Sequence, residues 1–282
     1  MPNYVTNRLE INADRETVQN VMDFLKGKTD EDSTPCYIDF NNIIPMPKDL
    51  LIEASTSGEF GMQYIIAQQR KPFNSQDDLK VIQWMEIQEE KVREEALQLG
   101  MTYLRNWGKY GYPTWYEWSI ANWGTKWNAY GYDEYTDYSA CDELTFQTAW
   151  SAPHPILKKL SEMYPDVSLK HQWADEDIGM NCGERTYLGG KIIDQFIPEG
   201  VHATEFALEV WDYDSLEFGM AKNSTGTEYI NIENAEYQLI ELFGKPALFS
   251  NSRITQKDIP QGLYCYDLRH SDDGDRFCTV EP

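Results

Sequence analysis

The chain begins with an alternating apolar and polar segment that is followed by a helical pattern. Residues 4–11 alternate, which predicts a half-buried β-strand. In residues 15–26 apolar positions recur at helical spacing, and Asp14 stands where an N-cap is expected. Residues 36–40 predict a second strand, which has to end before Pro45. The amino-terminal unit is therefore predicted to be βαβ.

Helical patterns follow in the middle of the chain. Residues 50–74 are mixed and predict no single element, whereas Ser75 begins a helix that we expect to continue to about residue 99. Another helix is predicted at about 115–122, inside the segment 101–138, which is rich in tryptophan and tyrosine. Such residues suit both packing against a sheet and a binding face, and packing is the favoured interpretation.

The next segment repeats the strand-and-helix pattern. Strands are predicted at 144–150, 167–173 and 184–188, with a helix at 156–163 that Ser151 would cap. This unit is βαββ. Together the two units predict an α+β fold, a ferredoxin-like sandwich with a large aromatic-rich helical insertion at about residues 50–140.

The pattern changes after about residue 198, so we divide the chain into a ferredoxin-like domain (1–200) and a small carboxyl-terminal α+β module (201–282). In the module, residues 206–211 predict a strand and residues 232–243 predict a helix. The tail predicts a hairpin with strands at 263–268 and 276–280, joined by an acidic turn that contains glycine.

Net charge changes the picture of function. The chain has 47 acidic and 24 basic side chains, a formal net charge of −23 and a pI near 4.4. A protein with this charge repels nucleic acid, so no direct nucleic-acid contact is expected. A solvated acidic surface is the simpler explanation of the charge, and mimicry of DNA toward a basic partner is the alternative.

Cysteine usage and hydropathy indicate the compartment. The five cysteines are an odd number, are widely spaced and contain no C-x-x-C pair, which favours a reducing cytoplasm. No apolar run approaches the ~18 residues that a membrane-spanning helix needs, and no signal peptide opens the chain. We therefore expect a soluble cytoplasmic protein without a membrane partner.

Candidate chemistry is sparse. His171, Asp175 and Cys182 could be drawn as a metal site, but their spacing matches no standard ligand pattern. His154 lies between two prolines and is interpreted as a turn residue, and the acidic turn near His270 lacks the spacing of a calcium loop. No phosphate-binding loop or nucleophile elbow is present. We expect no catalytic residue, cofactor or metal, and keep an enzyme with an unrecognised site as an alternative.

Several motifs resemble a known family. The segments MPNYVTNRLEI, FNNIIPMPKDL, NWGTKWNAY, FQTAWSAPHPILKKLSEMYPDVSLKHQWADED and NCG resemble the YubB-type ferredoxin-like family of bacterial plasmids, prophages and phages, over about the first 200 residues. The tail LFSNSRITQKDIPQGLYCYDLRHSDDGDRFCTVEP is similar to a module of large polyvalent proteins of mobile elements. The resemblance implies a mobile-element accessory protein in a bacterial cytoplasm, and it brings no catalytic residues with it.

The leading hypothesis is a non-enzymatic mobile-element protein that binds and inhibits a host antiviral-defence protein with a basic surface, such as a nuclease or nucleic-acid-binding complex. Aromatic anchors would supply affinity, and carboxylates would steer the partner. The alternative is a self-assembling module in which the aromatic insertion forms a homo-oligomer interface. The residues predicted to bind the partner are Trp115, Trp118, Trp123, Trp127, Tyr130, Asp133, Glu134, Tyr135, Asp137, Asp175, Glu176 and Asp177.

Overall fold

A five-stranded antiparallel sheet organises the first 200 residues. A computed structural model describes residues 3–28, 35–69, 75–132, 136–138, 141–215, 218–222, 226–231, 238–242, 245–250, 264–269 and 276–280. The sheet has the order β2-β1-β3-β4-β5, and all neighbours are antiparallel. Its strands are β1 (Tyr4–Asn12), β2 (Glu143–Ala149), β3 (Ser168–Asp175), β4 (Gly183–Leu188) and β5 (Lys191–Phe196).

Eight α-helices accompany the sheet in the described part of the chain. They are α1 (Arg15–Leu25), α2 (Phe40–Ile43), α3 (Thr56–Gln69), α4 (Gln76–Ile87), α5 (Glu90–Tyr110), α6 (Trp115–Trp123), α7 (His154–Met163) and α8 (Val201–Trp211). None of the helices in these described ranges is long and apolar enough to cross a membrane.

The connection from β2 through α7 to β3 makes the fold ferredoxin-like. β1 lies between β2 and β3, and Leu9 of β1 is paired with Leu144 on one side and His171 on the other. The helix therefore crosses over a strand that comes much earlier in the chain, which is the split βαβ arrangement of ferredoxin-like folds. The α+β, ferredoxin-like class predicted from the sequence is confirmed.

The two helices α1 and α7 cover the inner face of the sheet. The carboxylate of Asp14 accepts hydrogen bonds from the backbone N–H groups of Glu16 and Thr17, both at 3.1 Å, so α1 begins where the sequence predicts. The apolar side of each helix packs on inward residues of β1 to β4. The buried residues are Val18, Val21, Met22 and Leu25 of α1, and Ile156, Leu157 and Leu160 of α7.

The strand predicted at residues 36–40 is wrong. Residues 35–39 form no regular structure, and Phe40 begins α2. The backbone polar groups here are satisfied by side chains that come from much later in the chain: Asn128 Oδ1 accepts from the Phe40 N–H at 2.9 Å, and the Tyr132 hydroxyl donates to the Ile38 carbonyl at 3.2 Å. The segment therefore needs no neighbouring strand.

Other predicted elements differ in type or extent. The helix expected from Ser75 to about residue 99 is two helices, α4 and α5, with a break at Gln88 and Glu89. Residues 206–211 are helical, as part of α8, because buried residues recur at helical spacing and pack against the outer face of the sheet. The helix α7 has Pro153 at its N-cap position rather than Ser151. The elements α3 and β5 were not predicted.

The insertion between β1 and β2 contains a closely packed helix pair. In α3, a Cβ atom added to Gly61 would lie 1.8 Å from the carbonyl oxygen of Ala96 in α5, so the two backbones touch at this point. Tyr103 of α5 is buried, and its hydroxyl donates to the Glu53 carbonyl at 2.5 Å and accepts from the Ser55 N–H at 3.0 Å. The predicted helical insertion at about residues 50–140 is therefore present.

The carboxyl-terminal part forms two further sheets. One has β6 (Met220–Lys222) and β7 (Tyr229–Asn231); the other has the order β11-β10-β9-β8 and contains β8 (Gln238–Leu242), β9 (Lys245–Ser250), β10 (Tyr264–Arg269) and β11 (Arg276–Val280). The predicted terminal hairpin is confirmed as β10 and β11. The helix predicted at 232–243 is wrong at 238–242, which is a strand; residues 232–237 and 243 lie outside the described residues.

Candidate protein-binding face

Six aromatic residues from four separate parts of the chain meet beside the β2 edge of the sheet. Ring centroids are 5.8 Å apart for Trp115 and Tyr116, and 6.1 Å apart for Tyr116 and Trp150. The ring centroids of Trp127 and Tyr130 are 6.1 Å apart, and those of Tyr130 and Tyr4, in strand β1, are 5.9 Å apart. We call this set the aromatic face: Tyr4, Trp115, Tyr116, Trp127, Tyr130 and Trp150.

The start of α6 positions the first two rings. Thr114 is the N-cap, and its hydroxyl accepts from the backbone N–H of Tyr116 at 3.2 Å and donates to the carboxylate of Glu117 at 2.6 Å. The cap fixes the first turn of the helix, which carries both aromatic residues. The chain leaves α6 at Gly124, whose positive φ of 80° lets it turn back along β2.

Residues 125–130 run along β2 and use its free hydrogen-bonding groups. The Thr125 hydroxyl donates to the Ala149 carbonyl at 2.8 Å and accepts from the Ala149 N–H at 3.1 Å. Further along, Tyr130 and Gln147 exchange two backbone hydrogen bonds, of 3.1 and 2.6 Å. The segment thus covers this edge of the sheet, and it carries Trp127 with 38% of its surface exposed.

Trp150 takes an unusual backbone conformation at the end of β2. In this strand Leu144, Phe146 and Thr148 point inward, and continued alternation would bury Trp150 as well. Instead Trp150 has a φ of 73° and remains 40% exposed. A left-handed tryptophan costs of order 1 kcal/mol, and such strain concentrates at functional sites.

Lys126 joins the two halves of the aromatic face. Its ammonium nitrogen lies 4.8 Å from the ring centre of Trp127, 4.7 Å from that of Trp150 and 5.7 Å from that of Tyr116. Within the described ranges no carboxylate is close enough to form an ion pair with it. Cation–π attraction therefore holds the rings around a side chain that still has its hydrogen-bond donors available.

An acidic turn borders the face on the side of Tyr4. Asp175 is buried, and its carboxylate accepts from the Asn3 side chain at 3.1 Å and the Asp177 N–H at 3.0 Å, so it orders the turn. Glu176 is exposed, and its N–H donates to the Tyr4 carbonyl at 2.8 Å. The Glu176–Tyr4 hydrogen bond and the contact between the Tyr4 and Tyr130 rings place the turn beside the face. Burial first, and then the neighbouring Tyr4 and Glu176, raise the pKa of the Tyr130 phenol.

A groove of about 360 Å³ opens between the aromatic face and α3. Trp115, Tyr116 and Trp127 line one side. Glu59 and Glu117 also line the groove. The combination of apolar walls with a few charged groups is typical of a site that receives a side chain of a partner.

The structure places some of the predicted binding residues on the aromatic face and others away from it. Trp115, Trp127, Tyr130, Glu176 and Asp177 lie on or beside the aromatic face.

The prediction that Trp118 and Trp123 bind a partner at the surface is wrong. Their side chains are only 7% and 5% exposed, and their rings pack together in the core with centroids 5.5 Å apart. Asp175 is buried and orders the acidic turn from inside. Asp137 is exposed, and its carbonyl accepts from the Cys141 thiol at 3.5 Å. Asp133, Glu134 and Tyr135 lie outside the described residues.

Four residues of this site were missed at the level of sequence: Tyr4, Tyr116, Lys126 and Trp150. Tyr116 and Lys126 are next in sequence to the predicted residues Trp115 and Trp127, so their positions in the chain could have indicated that they belong to the face. Tyr4 and Trp150 both lie in strands predicted from the sequence. No local pattern shows that Tyr4 packs against Tyr130 or that Trp150 turns outward.

A polar cluster of Asn7, His171, His154 and Tyr187 lies on the inner face of the sheet. The Asn7 amide donates to the Val5 carbonyl and to the Thr148 hydroxyl, both at 2.9 Å, so its oxygen faces His171 Nε2 at 3.0 Å and accepts from it. His171 Nδ1 is then left as a buried acceptor without a partner. His154 Nδ1 is 3.1 Å from the Tyr187 hydroxyl.

Both histidines of this cluster are neutral near pH 7. Burial lowers the pKa of His154 to about 4, with a smaller contribution from Arg185. The same causes, together with His154 itself, hold the pKa of His171 well below its usual range. Cys182 lies on the opposite face of the sheet from His171, with its thiol 3.6 Å from the Ala203 carbonyl, so the candidate metal site is not assembled. No group of three potential metal ligands occurs among the described residues.

Comparisons with known proteins agree with this architecture. Residues 126–214 match the family model described as a ferredoxin-like domain in Api92-like protein. Residues 233–282 match large polyvalent protein associated domain 28, in the part of the chain where the sequence predicts such a module.

Among solved structures, the crystal structure of the protein Api92 from Yersinia pseudotuberculosis is 11% identical, with a TM-score of 0.31, and the match covers 70% of this chain and 98% of that chain. No curated protein matches this chain.

Proposed function

We propose that this chain is a non-enzymatic accessory protein of a plasmid or phage, related to the YubB-type family, that binds a basic host protein through the aromatic face and inhibits it. A nuclease or nucleic-acid-binding complex of antiviral defence is the expected target. The observation that carries the proposal is the gathering of six aromatic rings and Lys126 on one surface beside an acidic turn.

The composition of the aromatic face supports protein binding. Tryptophan and tyrosine supply a large share of the binding energy in protein interfaces, because they bury much area and lose little side-chain entropy. Here they are fixed in advance by ring contacts, by the cap of α6 and by hydrogen bonds to β2. A preorganised face does not have to be ordered when the partner binds, which favours affinity.

The charge of the chain supports a basic partner. A net charge of −23 attracts a positively charged protein over a distance, raises the rate of encounter and repels nucleic acid. A nuclease carries basic residues where it binds the phosphate backbone, so it has the complementary surface. Glu59, Glu117 and Glu176 at the margin of the face add local attraction at close range.

The carboxyl-terminal match supports the mobile-element setting. A domain associated with large polyvalent proteins and an Api92-like ferredoxin-like domain stand together in one chain. His171 is fully buried and so offers no accessible base, and half-buried His154, whose pKa burial lowers to about 4, is only a weak base. These features favour a binding role in the bacterial cytoplasm over catalysis.

The test is capture of partners by the tagged full chain from bacterial lysates that contain antiviral nucleases, at about 50 mM and about 500 mM salt. A double variant, Trp127→Ala with Trp150→Ala, removes two exposed rings of the face. The matched control is Trp107→Ala, a tryptophan of α5 that is also exposed and makes no ring contact with the face in the described ranges. Circular dichroism confirms that all variants are folded.

The expected result is a stoichiometric basic protein whose affinity falls at least tenfold in the double variant and in high salt, and stays unchanged in the control. Purified target should lose its activity when the wild-type chain is added. Equal binding by wild type and double variant would exclude the aromatic face. An affinity that does not change with salt concentration would exclude the electrostatic part of the proposal.

A further inference from the structure

The groove between the aromatic face and α3 has the size of a site for one side chain. Its volume of about 360 Å³ lies at the small end of ligand pockets, which suits a single side chain of a partner better than a helix or a strand. Trp115, Tyr116 and Trp127 line the groove from the side of the face. A flat or cationic group that enters it therefore meets indole and phenol rings.

The charged residues of the groove give it an excess of negative charge. Three of the residues that line it are charged: Glu59, Glu117 and Lys126. Two carboxylates and one ammonium leave one net negative charge. The Lys126 ammonium also lies 4.7 Å from the ring centre of Trp150, which is not among the lining residues, so this cation is shared with the part of the face outside the groove.

Glu117 is a half-buried carboxylate without a cationic partner. Neither it nor Glu59 forms an ion pair within the described ranges. The Glu117 carboxylate accepts a hydrogen bond from the Thr114 hydroxyl at 2.6 Å, and this bond holds it at the start of α6. Taking a carboxylate out of water is unfavourable unless a cation accompanies it. A cation that enters the groove would therefore find an ordered carboxylate that has already lost part of its water.

Two hydroxyl groups of the groove are not available to an anion. The Thr114 hydroxyl donates to Glu117, and the Tyr103 hydroxyl donates to the Glu53 carbonyl, so both protons are used within the chain. Aside from Lys126, the groove mainly presents ring faces and carboxylates. Both of these attract positive charge.

We propose that the groove receives an arginine side chain, with its guanidinium against the aromatic rings and paired with Glu117. The arginine would belong to the basic partner of the proposed function, on which this inference rests, and would be a group by which that partner is recognised. Arginine fits better than lysine, because its guanidinium is planar and weakly hydrated, stacks on aromatic rings and presents several donors to a carboxylate. Its single charge also makes the groove neutral.

The test is titration of the isotope-labelled full chain with capped Gly-Arg-Gly, followed through the indole N–H signals in NMR spectra. Phenylalanine variants of Trp115 and Trp127 assign the two signals of the groove, and the exposed Trp107 of α5 serves as an internal reference. We expect saturable shifts of both groove signals with a dissociation constant roughly in the millimolar range, since so small a ligand has few atoms to contribute. The Trp107 signal should stay unchanged.

Two peptides of the same length separate charge from shape. In the first, citrulline replaces arginine, so a neutral urea group of the same shape replaces the guanidinium, and this peptide should bind about tenfold more weakly. In the second, lysine replaces arginine and keeps its charge. The lysine peptide measures the general attraction of a chain with a net charge of −23, and it should also bind more weakly than the arginine peptide.

Glu117→Gln tests the carboxylate itself. Glutamine keeps an oxygen that can accept from Thr114, so the first turn of α6 should stay intact while the charge is lost. The affinity for the arginine peptide should fall about tenfold. The matched control is Glu10→Gln, which changes a half-buried glutamate of β1 outside the groove and should leave the affinity unchanged.

Three results would overturn the arginine site: groove signals that do not shift to saturation, a citrulline or lysine peptide that binds as tightly as the arginine peptide, and equal effects of Glu117→Gln and Glu10→Gln. The proposed function fails separately, when capture yields no basic protein or is insensitive to the loss of Trp127 and Trp150. A captured partner that binds wild type and Glu117→Gln equally would support the aromatic face and exclude the arginine from the groove.

Discussion

The two edges of the five-stranded sheet are finished in different ways. Along β2, residues 125–130 supply hydrogen bonds from a side chain and from the backbone, and the edge is covered. Along β5, no described segment does the same, and apolar side chains are exposed. An open edge invites pairing with other chains, so proteins usually cover or blunt both edges. The β5 edge is blunted instead: its pairing with β4 shifts register at Ile193, which forms a β-bulge, and the strand carries the charged residues Lys191 and Asp194.

The covered edge also shows how a binding face can arise from a structural need. The segment that bonds to β2 carries Lys126, Trp127 and Tyr130, and it brings them next to Trp150 at the end of the strand. The hydrogen bonds that protect the sheet therefore also hold the rings in place. The cover and the aromatic face should respond together to substitutions.

The largest effect is expected from Thr125→Val, which breaks the cover. Its hydroxyl bonds both the N–H and the carbonyl of Ala149, and both residues are fully buried. Valine keeps the shape of threonine but leaves these groups without that partner, which should lower the free energy of unfolding by about 2 to 3 kcal/mol. Urea denaturation measures the change.

Thr145→Val is the control for this experiment. Thr145 lies in the same strand, is only half-buried and makes no side-chain hydrogen bond within the described ranges. Its substitution should change the free energy of unfolding by less than about 0.5 kcal/mol. Equal effects of the two substitutions would mean that Thr125 does not hold the cover in place.

The sequence predicts the central part of the sheet well and the edges poorly. β1, α1, β2 and β3 follow from alternation, helical spacing and the Asp14 cap, because all these signals are local. Strand β5 was missed because its exposed residues, KIIDQF, do not alternate between a buried and a solvent side. The cover of β2 depends on contacts between segments about 20 residues apart, which a local pattern cannot show.

The sequence predicts which residue types form the binding face, but not which individual residues belong to it. Trp115 and Trp118 are three residues apart on α6, yet the first is half-buried on the surface and the second lies in the core. The helical pattern alone cannot separate them, since aromatic and apolar residues lie on more than one side of this short helix. The sequence places Trp150 at the end of a predicted strand, and its positive φ, which no local pattern shows, brings it outward.

A drop in pH should weaken the centre of the sheet and so loosen both edges together. His154 has a pKa of about 4 in the folded chain and near 6.5 when unfolded, because burial disfavours its charged form. Between these values the unfolded chain binds more protons, so stability is retained above pH 6.5 and lost as pH falls toward 4. We expect a loss of about 2 kcal/mol from pH 7 to pH 5, with His171 acting in the same direction.

His154→Asn separates this effect from the titration of carboxylates. The variant lacks the group that must lose its proton on folding, so its unfolding free energy should depend on pH by about 2 kcal/mol less than that of wild type. Denaturation at both pH values gives the comparison. The same pH dependence in both proteins would show that burial of His154 does not govern the acid response.

The smallest effect is expected from Gly131→Ala, which perturbs the cover without removing a hydrogen bond. Gly131 follows Tyr130, has a φ of 64°, and an added Cβ would lie 2.4 Å from the Gln147 side-chain oxygen. That side chain can move, so the cost is mainly the left-handed backbone, about 1 kcal/mol. Gly108→Ala in α5 is the control, because nothing lies within 4 Å of its added Cβ. In an exposed helix this control should stabilise the protein by about 0.5 to 1 kcal/mol, so opposite signs are expected in thermal denaturation. A stabilising Gly131→Ala would show that the chain can cover β2 without this turn.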